Sequence, residues 1–105
     1  MEFDKLVRDK VPHMIEEQGK VVTVERVSGE NYFLKLKEKL QEEVSEFTED
    51  GAVEELADII EVIYAICAFK NINLEQLEQL RLLKVQNRGA FKQGLVLKEI
   101  REKKS

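Results

Sequence analysis

The sequence contains one cysteine, one histidine and no tryptophan among its 105 residues. With Cys67 alone, the chain cannot form an internal disulfide bond or supply a thiolate cluster for zinc. The longest apolar stretch, residues 56–69, includes acidic side chains and is too short to span a bilayer. Residues 1–10 lack the apolar region of a secretory signal peptide. We therefore expect a cytoplasmic protein that has no membrane partner.

Positive charge is also scarce, because 17 lysines and arginines face 21 acidic residues and the formal net charge is -4. Proteins that bind nucleic acid polymers nonspecifically usually have a basic face and a high pI. The composition argues against that class and leaves small anionic ligands open. A chain of this length buries only a modest core. We expect a single domain, residues 1–105, whose apolar surface is completed by a partner subunit.

Helical periodicity dominates the sequence and predicts an all-α fold. Three long helices are expected, at residues 29–48, 52–70 and 74–88. A short helix should precede them, with Asp9 as its N-cap and Pro12 in its first turn, where the missing N–H costs nothing. Gly19 stands where a helix end favours a left-handed residue.

Two short segments depart from the helical pattern. Residues 21–27 are rich in β-branched side chains and partly alternate in polarity, which is typical of a strand. Residues 95–100 are the expected partner. The sequence therefore predicts a short two-stranded β-ribbon beside an antiparallel helical hairpin.

Acidic residues fall within the apolar faces of the first two long helices. At 100° per residue, Glu43 lies inside an apolar arc and Glu46 at its edge. The second helix is apolar almost all round, which is typical of a buried helix, yet Glu55 and Asp58 lie among its apolar residues. In an antiparallel hairpin Glu46 and Glu55 are equidistant from the turn, as are Glu43 and Asp58. We expect the four carboxylates to converge.

Such a cluster must be neutralised, because two like charges about 4 Å apart repel by roughly 4 kcal/mol at an effective dielectric constant of 20. Protonation, basic side chains and a divalent cation are three ways to do so. Carboxylate oxygens favour Mg²⁺ or Mn²⁺ over zinc, and His13 lies outside the hairpin. We favour Mg²⁺, while the simpler alternative is that these acids form ordinary solvated helix faces.

Two strings in the hairpin resemble known motifs. LQEEVSE and EELAD, at residues 40–46 and 54–58, resemble the EExxE and ExxD motifs of the MazG-like, all-α nucleoside triphosphate pyrophosphohydrolases. This superfamily includes phosphoribosyl-ATP pyrophosphohydrolase and the dimeric dUTPases. KLVRDKVP and RGAFKQGLVL resemble the two ends of a small phosphoribosyl-ATP pyrophosphohydrolase-like branch. The resemblance implies an antiparallel helical bundle that is completed as a homodimer or a dimer of dimers.

The resemblance also implies roles for individual acidic residues. Metal binding and catalysis would fall to the four hairpin carboxylates, Glu43, Glu46, Glu55 and Asp58. Glu42 completes the first motif. Glu61, one turn beyond Asp58, would either support the ligands, act as a base or be solvated.

Basic residues are candidates for substrate binding. Lys84 and Arg88 match a KxxxRG element of the family, which implies contacts with phosphate, although a solvated basic helix face is the alternative. Arg8 and Lys10 belong to the KLVRDK opening of the branch. For these two, ion pairs with the acidic helices are the alternative to substrate binding.

Three functions follow from these observations. The first is a magnesium-dependent nucleoside triphosphate pyrophosphohydrolase that cleaves between the α and β phosphates, giving the nucleoside monophosphate and pyrophosphate, in the removal of noncanonical nucleotides. The second is hydrolysis of phosphoribosyl-ATP. The third is a helical regulatory module that binds a nucleotide and does not hydrolyse it.

Overall fold

The computed structural model describes residues 3–103, and within this range it contains four α-helices and no β-strand. The helices are α1 Val11–Glu17, α2 Gly29–Asp50, α3 Val53–Phe69 and α4 Leu74–Arg88. The predicted all-α class is confirmed, and the three long helices lie close to their predicted bounds. No helix in the described range combines the length and the apolar composition needed to cross a membrane.

The chain divides into two compact units, Met1–Asn73 and Leu74–Ser105. The first unit contains α1, α2 and α3, and the second contains α4. The expectation of one domain over residues 1–105 stays a prediction.

α2 and α3 form the antiparallel hairpin that the sequence predicts. Gly51 ends α2 in a left-handed conformation, with φ of 64°, and its N–H donates to the carbonyl of Phe47 at 2.8 Å. Far from this turn, the rings of Phe33 near the start of α2 and Phe69 at the end of α3 stack at 5.1 Å. Contacts at both ends of the hairpin fix the relative heights of the residues between them.

The core of the first unit lies between these two helices. Leu36 of α2 is almost completely buried, and Val62 and Cys67 of α3 are also buried. Apolar burial of this kind is the main source of stability for a small helical unit. The acidic residues of the hairpin are held beside this core.

The short helix α1 begins later than the sequence suggested. Its N-cap is Lys10 rather than Asp9, and no side-chain hydrogen bond caps it within the described residues. Lys10 has a helical backbone (φ -90°, ψ -7°), unlike the extended conformation that is usual at an N-cap. The other two expectations are confirmed, since Pro12 lies in the first turn and Gly19 follows the helix with φ of 81°.

The predicted β-ribbon is wrong for the described chain. Residues 21–27 and 95–100 have no regular secondary structure, and Val21 and Leu97 are 97% and 77% exposed. β-Branched residues favour strands chiefly where one face is covered, and an isolated two-stranded ribbon is marginal in water. Most side chains in both segments are exposed, so strand propensity alone does not produce pairing.

α3 exposes part of its apolar surface. Four large side chains follow one side of the helix at spacings of three and four residues, which we call the α3 stripe: Val53, Leu56, Ile60 and Tyr64. All four are exposed. The expectation of a helix buried all round therefore holds for Val62 and Cys67 and fails for the α3 stripe in the single chain.

Candidate metal site

Three acidic side chains converge beside the core of the hairpin, and we call them the carboxylate cluster. Glu43 of α2 and Glu55 and Asp58 of α3 each offer an oxygen, and these oxygens lie within 4.8 Å of one another. Glu46 is the fourth predicted ligand and lies close enough to Glu55 to raise the pKa of its carboxyl group. Counting residues outward from a tight turn therefore placed all four carboxylates in one region. The structure groups three of them as potential ligands to one ion.

Glu43 is buried although it carries a carboxylate. The residue is 6% exposed. Its Oε1 lies 3.3 Å from the Nζ of Lys39, while its Oε2 is buried without a hydrogen-bond partner among the described residues. Burial raises the pKa of Glu43, the charges of Glu46 and Asp58 raise it further, and Lys39 opposes the rise. A buried acceptor left without a donor is costly, so this oxygen is suited to a cation.

Glu55 has the same kind of unsatisfied oxygen. Its Oε2 is buried and lacks a hydrogen-bond partner in the described part of the chain. Burial is the largest of the causes that raise the pKa of Glu55 to about 7. The neighbouring Glu46 is the next, and the negative charges of Asp50 and Asp58 follow. A carboxyl group with this pKa binds a proton over much of the range below neutral pH. Protonation is therefore one of the ways in which the cluster is neutralised without metal.

Two basic side chains provide a second way. Arg8 Nη2 lies 2.7 Å from Asp58 Oδ1. Lys39 Nζ lies 3.3 Å from both Glu42 and Glu43. Arg8 thus forms the ion pair with an acidic helix that was the alternative to a phosphate contact. Lys39 was missed at the sequence level, although its position three and four residues before Glu42 and Glu43 is a signal for such contacts.

The remaining predicted residues occupy the surroundings of the cluster or lie on α4. Glu42 is half-buried and also pairs with Lys5 at 3.3 Å. Glu61 and Lys10 are exposed and line a cavity next to the cluster. Lys84 and Arg88 are exposed on α4, in the second unit. Their contacts with phosphate stay a prediction.

The donor set fits a hard divalent cation. All three members of the carboxylate cluster supply oxygen, which Mg²⁺ and Mn²⁺ prefer. Two of the three retain a buried oxygen that no donor among the described residues satisfies. A cation could take up both oxygens and neutralise the like charges around them. The arrangement is therefore chemically suited to holding Mg²⁺.

A cavity of about 540 Å³ adjoins the cluster, a volume within the usual range for small-molecule sites. Its lining combines apolar side chains, including Met14, Tyr32 and Val62, with charged ones. Glu43 and Asp58 line this cavity and also a wider groove of about 1550 Å³ that contains Glu42 and Glu46. The cluster thus borders two spaces of different character, of which the wider groove is lined by more charged residues.

Comparison with protein-family models, with curated proteins and with solved structures yields no match.

Proposed function

We propose that this chain is a magnesium-dependent nucleoside triphosphate pyrophosphohydrolase with a MazG-like helical bundle. The observation that carries the proposal is the carboxylate cluster. Its three residues each offer an oxygen within 4.8 Å of the others, and two of them, Glu43 and Glu55, also have a buried oxygen with no hydrogen-bond partner among the described residues. The motifs LQEEVSE and EELAD, which supply these residues, support the choice of reaction. The adjoining cavity has room for the nucleoside portion of a nucleotide.

The acidic residues would divide the work between binding and proton transfer. Glu43, Glu55 and Asp58 would hold the cation, and Glu46 would add negative charge beside Glu55. When bound, Mg²⁺ supplies charge neutralisation at the phosphoryl oxygens and lowers the pKa of the attacking water. Glu61, exposed on the cavity lining, is the carboxylate that we assign to accept the proton from water, because the cluster itself is committed to the cation.

In this reaction a water oxygen bonds to phosphorus and the linkage between the α and β phosphates breaks. The proton of the water passes to Glu61, and the bridging oxygen leaves with its electron pair on one of the two products, nucleoside monophosphate and pyrophosphate. Basic side chains offset the negative charge of the phosphates. In the first unit we assign this role to Arg8 and Lys10, which line the cavity beside the cluster. Phosphate contacts of Lys84 and Arg88, in the second unit, stay a prediction from the family resemblance.

A second copy of the chain would complete the bundle. The α3 stripe exposes four large apolar side chains, and exposed apolar patches of this kind are typical of interaction sites. Burial of the stripe against a second copy would satisfy the all-round apolar pattern of α3. We place this homodimer in the cytoplasm.

The ion pairs at the cluster favour a second candidate function. Arg8 and Lys39 already neutralise part of the negative charge, so the hairpin is compatible with a regulatory module that binds a nucleotide and does not hydrolyse it. Measurement of turnover separates the two functions, because tight nucleotide binding without hydrolysis is expected of the module alone.

The test is pyrophosphate release from a panel of canonical and modified nucleoside triphosphates and phosphoribosyl-ATP, with and without Mg²⁺. Glu55→Gln should lower the rate at least about 100-fold, more than the loss usual for residues that merely support a metal ligand. Glu54→Gln is the matched control, because it removes the same charge from the neighbouring exposed position. Equal rates in the wild type and Glu55→Gln would refute the assignment of the site. A higher rate on phosphoribosyl-ATP than on the nucleoside triphosphates would identify phosphoribosyl-ATP as the substrate.

A further inference from the structure

The N-terminal segment, residues 4–10, is tied to the helical hairpin by ion pairs. Asp4 pairs with Lys35 of α2 at 3.1 Å, and Lys5 pairs with Glu42 at 3.3 Å. Arg8 reaches further, to Asp58 at 2.7 Å. Arg8 thus connects this segment directly to a member of the carboxylate cluster.

We propose that Arg8 and a divalent cation exchange at Asp58, so that Arg8 holds this carboxylate in the metal-free protein and turns to the substrate phosphates in the loaded one. This inference rests on the metal site of the proposed function. It assigns to one residue both alternatives that the sequence left open for Arg8, the ion pair and the phosphate contact.

Competition for Asp58 follows from charge. The guanidinium group stays protonated at all physiological pH values, so Arg8 cannot relieve repulsion from an incoming cation by losing a proton. It must move away from Asp58 instead. The coupling is reciprocal: if a bound cation weakens the Arg8–Asp58 ion pair by some factor, the ion pair weakens the affinity of the cluster for the cation by that same factor.

Two basic side chains, Arg8 and Lys39, pair with the cluster, and Arg8 is the one that can move away from it. Its side chain is 55% exposed, and it lies in a segment without regular secondary structure before α1. Lys39, in contrast, has a side chain that is only 16% exposed, belongs to α2 and bridges Glu42 and Glu43. Displacing Arg8 disturbs neither a helix nor the core.

Arg8 also has a destination after release. Its side chain lines both the cavity and the wider groove, and Glu43 and Asp58 lie at their shared border. Lys5 and Lys39 line the wider groove as well, together with the acidic residues of the cluster, so a phosphate held there by the cation would have basic groups nearby. A planar guanidinium group can donate two parallel hydrogen bonds to phosphate oxygens. Exchange thus supplies a phosphate ligand at the moment when the cation is in place.

Calorimetric titration of Mg²⁺ and Mn²⁺ into the protein, without substrate, tests the exchange. Arg8→Gln should bind the cation about fivefold more tightly or better, a factor typical of coupled sites. Arg8→Lys keeps the charge and should bind close to the wild type. Lys20→Gln is the control for net charge, since Lys20 is exposed in the first unit and lines neither the cavity nor the wider groove; it should leave the affinity near that of the wild type.

A second readout follows the Arg8 side chain itself. Its guanidinium NMR signal, assigned by its loss in Arg8→Gln, should shift during the Mg²⁺ titration with the same midpoint as the calorimetric binding. Unchanged or weaker binding by folded Arg8→Gln, with metal-dependent hydrolysis intact in the wild type, would overturn the exchange and leave the proposed function standing. If neither protein binds a divalent cation, both the exchange and the metal site fail.

Discussion

Glu46 and Glu55 lie near each other across the turn between α2 and α3, one carboxyl group from each helix, and Glu46 helps to raise the pKa of Glu55. Two neighbouring carboxylates repel each other unless one of them carries a proton. The raised pKa of Glu55, about 7, gives this pair a proton under conditions in which most surface carboxylates are ionised. The stability of the hairpin should therefore depend on pH. A cation bound at the carboxylate cluster would compete with this proton for Glu55.

The stability of the metal-free protein should respond to this proton. Because the pKa of Glu55 rises from 4.5 in the unfolded chain to about 7 on folding, the folded state binds more protons than the unfolded state between these values. The contribution of Glu55 to stability is thus fully present below pH 4.5 and is lost as the pH rises through about 7. Thermal unfolding of the wild type and of Glu55→Gln is followed by circular dichroism across pH 4–8. The difference between the two melting temperatures at each pH isolates this contribution.

The burial that raises the pKa of Glu43 acts in the same direction. Added Mg²⁺ should offset the loss above pH 7 in the wild type and have little effect on Glu55→Gln. A wild-type stability that increases relative to the variant as the pH rises would contradict the pKa of Glu55.

Glu61→Gln should separate proton transfer from metal binding. Glu61 is exposed on the cavity lining and is absent from the carboxylate cluster. Loss of a general base typically lowers turnover by about 100-fold or more, whereas the affinity for Mg²⁺ should stay within about twofold of the wild type, since Glu61 is not among the ligands. Steady-state kinetics and calorimetry on one preparation decide the matter. Full turnover in Glu61→Gln would show that another carboxylate acts as the general base.

Ile60→Glu should dissociate the proposed dimer. Ile60 lies in the middle of the α3 stripe and is exposed in the single chain, so a charge there costs the folded monomer little but would be buried without a partner in a dimer. Light scattering after size exclusion should give twice the chain mass for the wild type and the chain mass for the variant. Val21→Glu, at an exposed apolar position outside the stripe, should remain dimeric. A monomeric wild type would refute the proposed dimer.

Gly51→Ala should destabilise the hairpin through its backbone alone. Gly51 has φ of 64°, and a Cβ atom added there meets no atom of the described chain within 4 Å. The expected cost is that of a left-handed L-residue, about 1 kcal/mol, or about 5 °C in a chain of this size. Gly51→Asn should lose less, since asparagine tolerates this conformation. Equal melting temperatures for Gly51→Ala and the wild type would show that the turn adjusts.

The parts of the structure that depend on local spacing were readable from the sequence. Helical periodicity placed α2, α3 and α4, and symmetry about the turn paired Glu43 with Asp58 and Glu46 with Glu55. Partners distant in sequence were not determined by spacing. The contact of Arg8 with Asp58 spans 50 residues, and the sequence offered it only as one of two alternatives. The strand propensity of residues 21–27 was misleading because pairing requires a covered face, which a propensity does not report.

The short connection between α2 and α3 also has a kinetic consequence. The carboxylate cluster and Glu46 all lie within residues 43–58, so their repulsion arises as soon as the hairpin closes and before any contact between distant parts of the chain is needed. Contacts of this short sequence separation form early in folding. Acid or a divalent cation should therefore accelerate folding as well as slow unfolding, which makes the occupancy of the site a determinant of how rapidly newly made chains reach their native state.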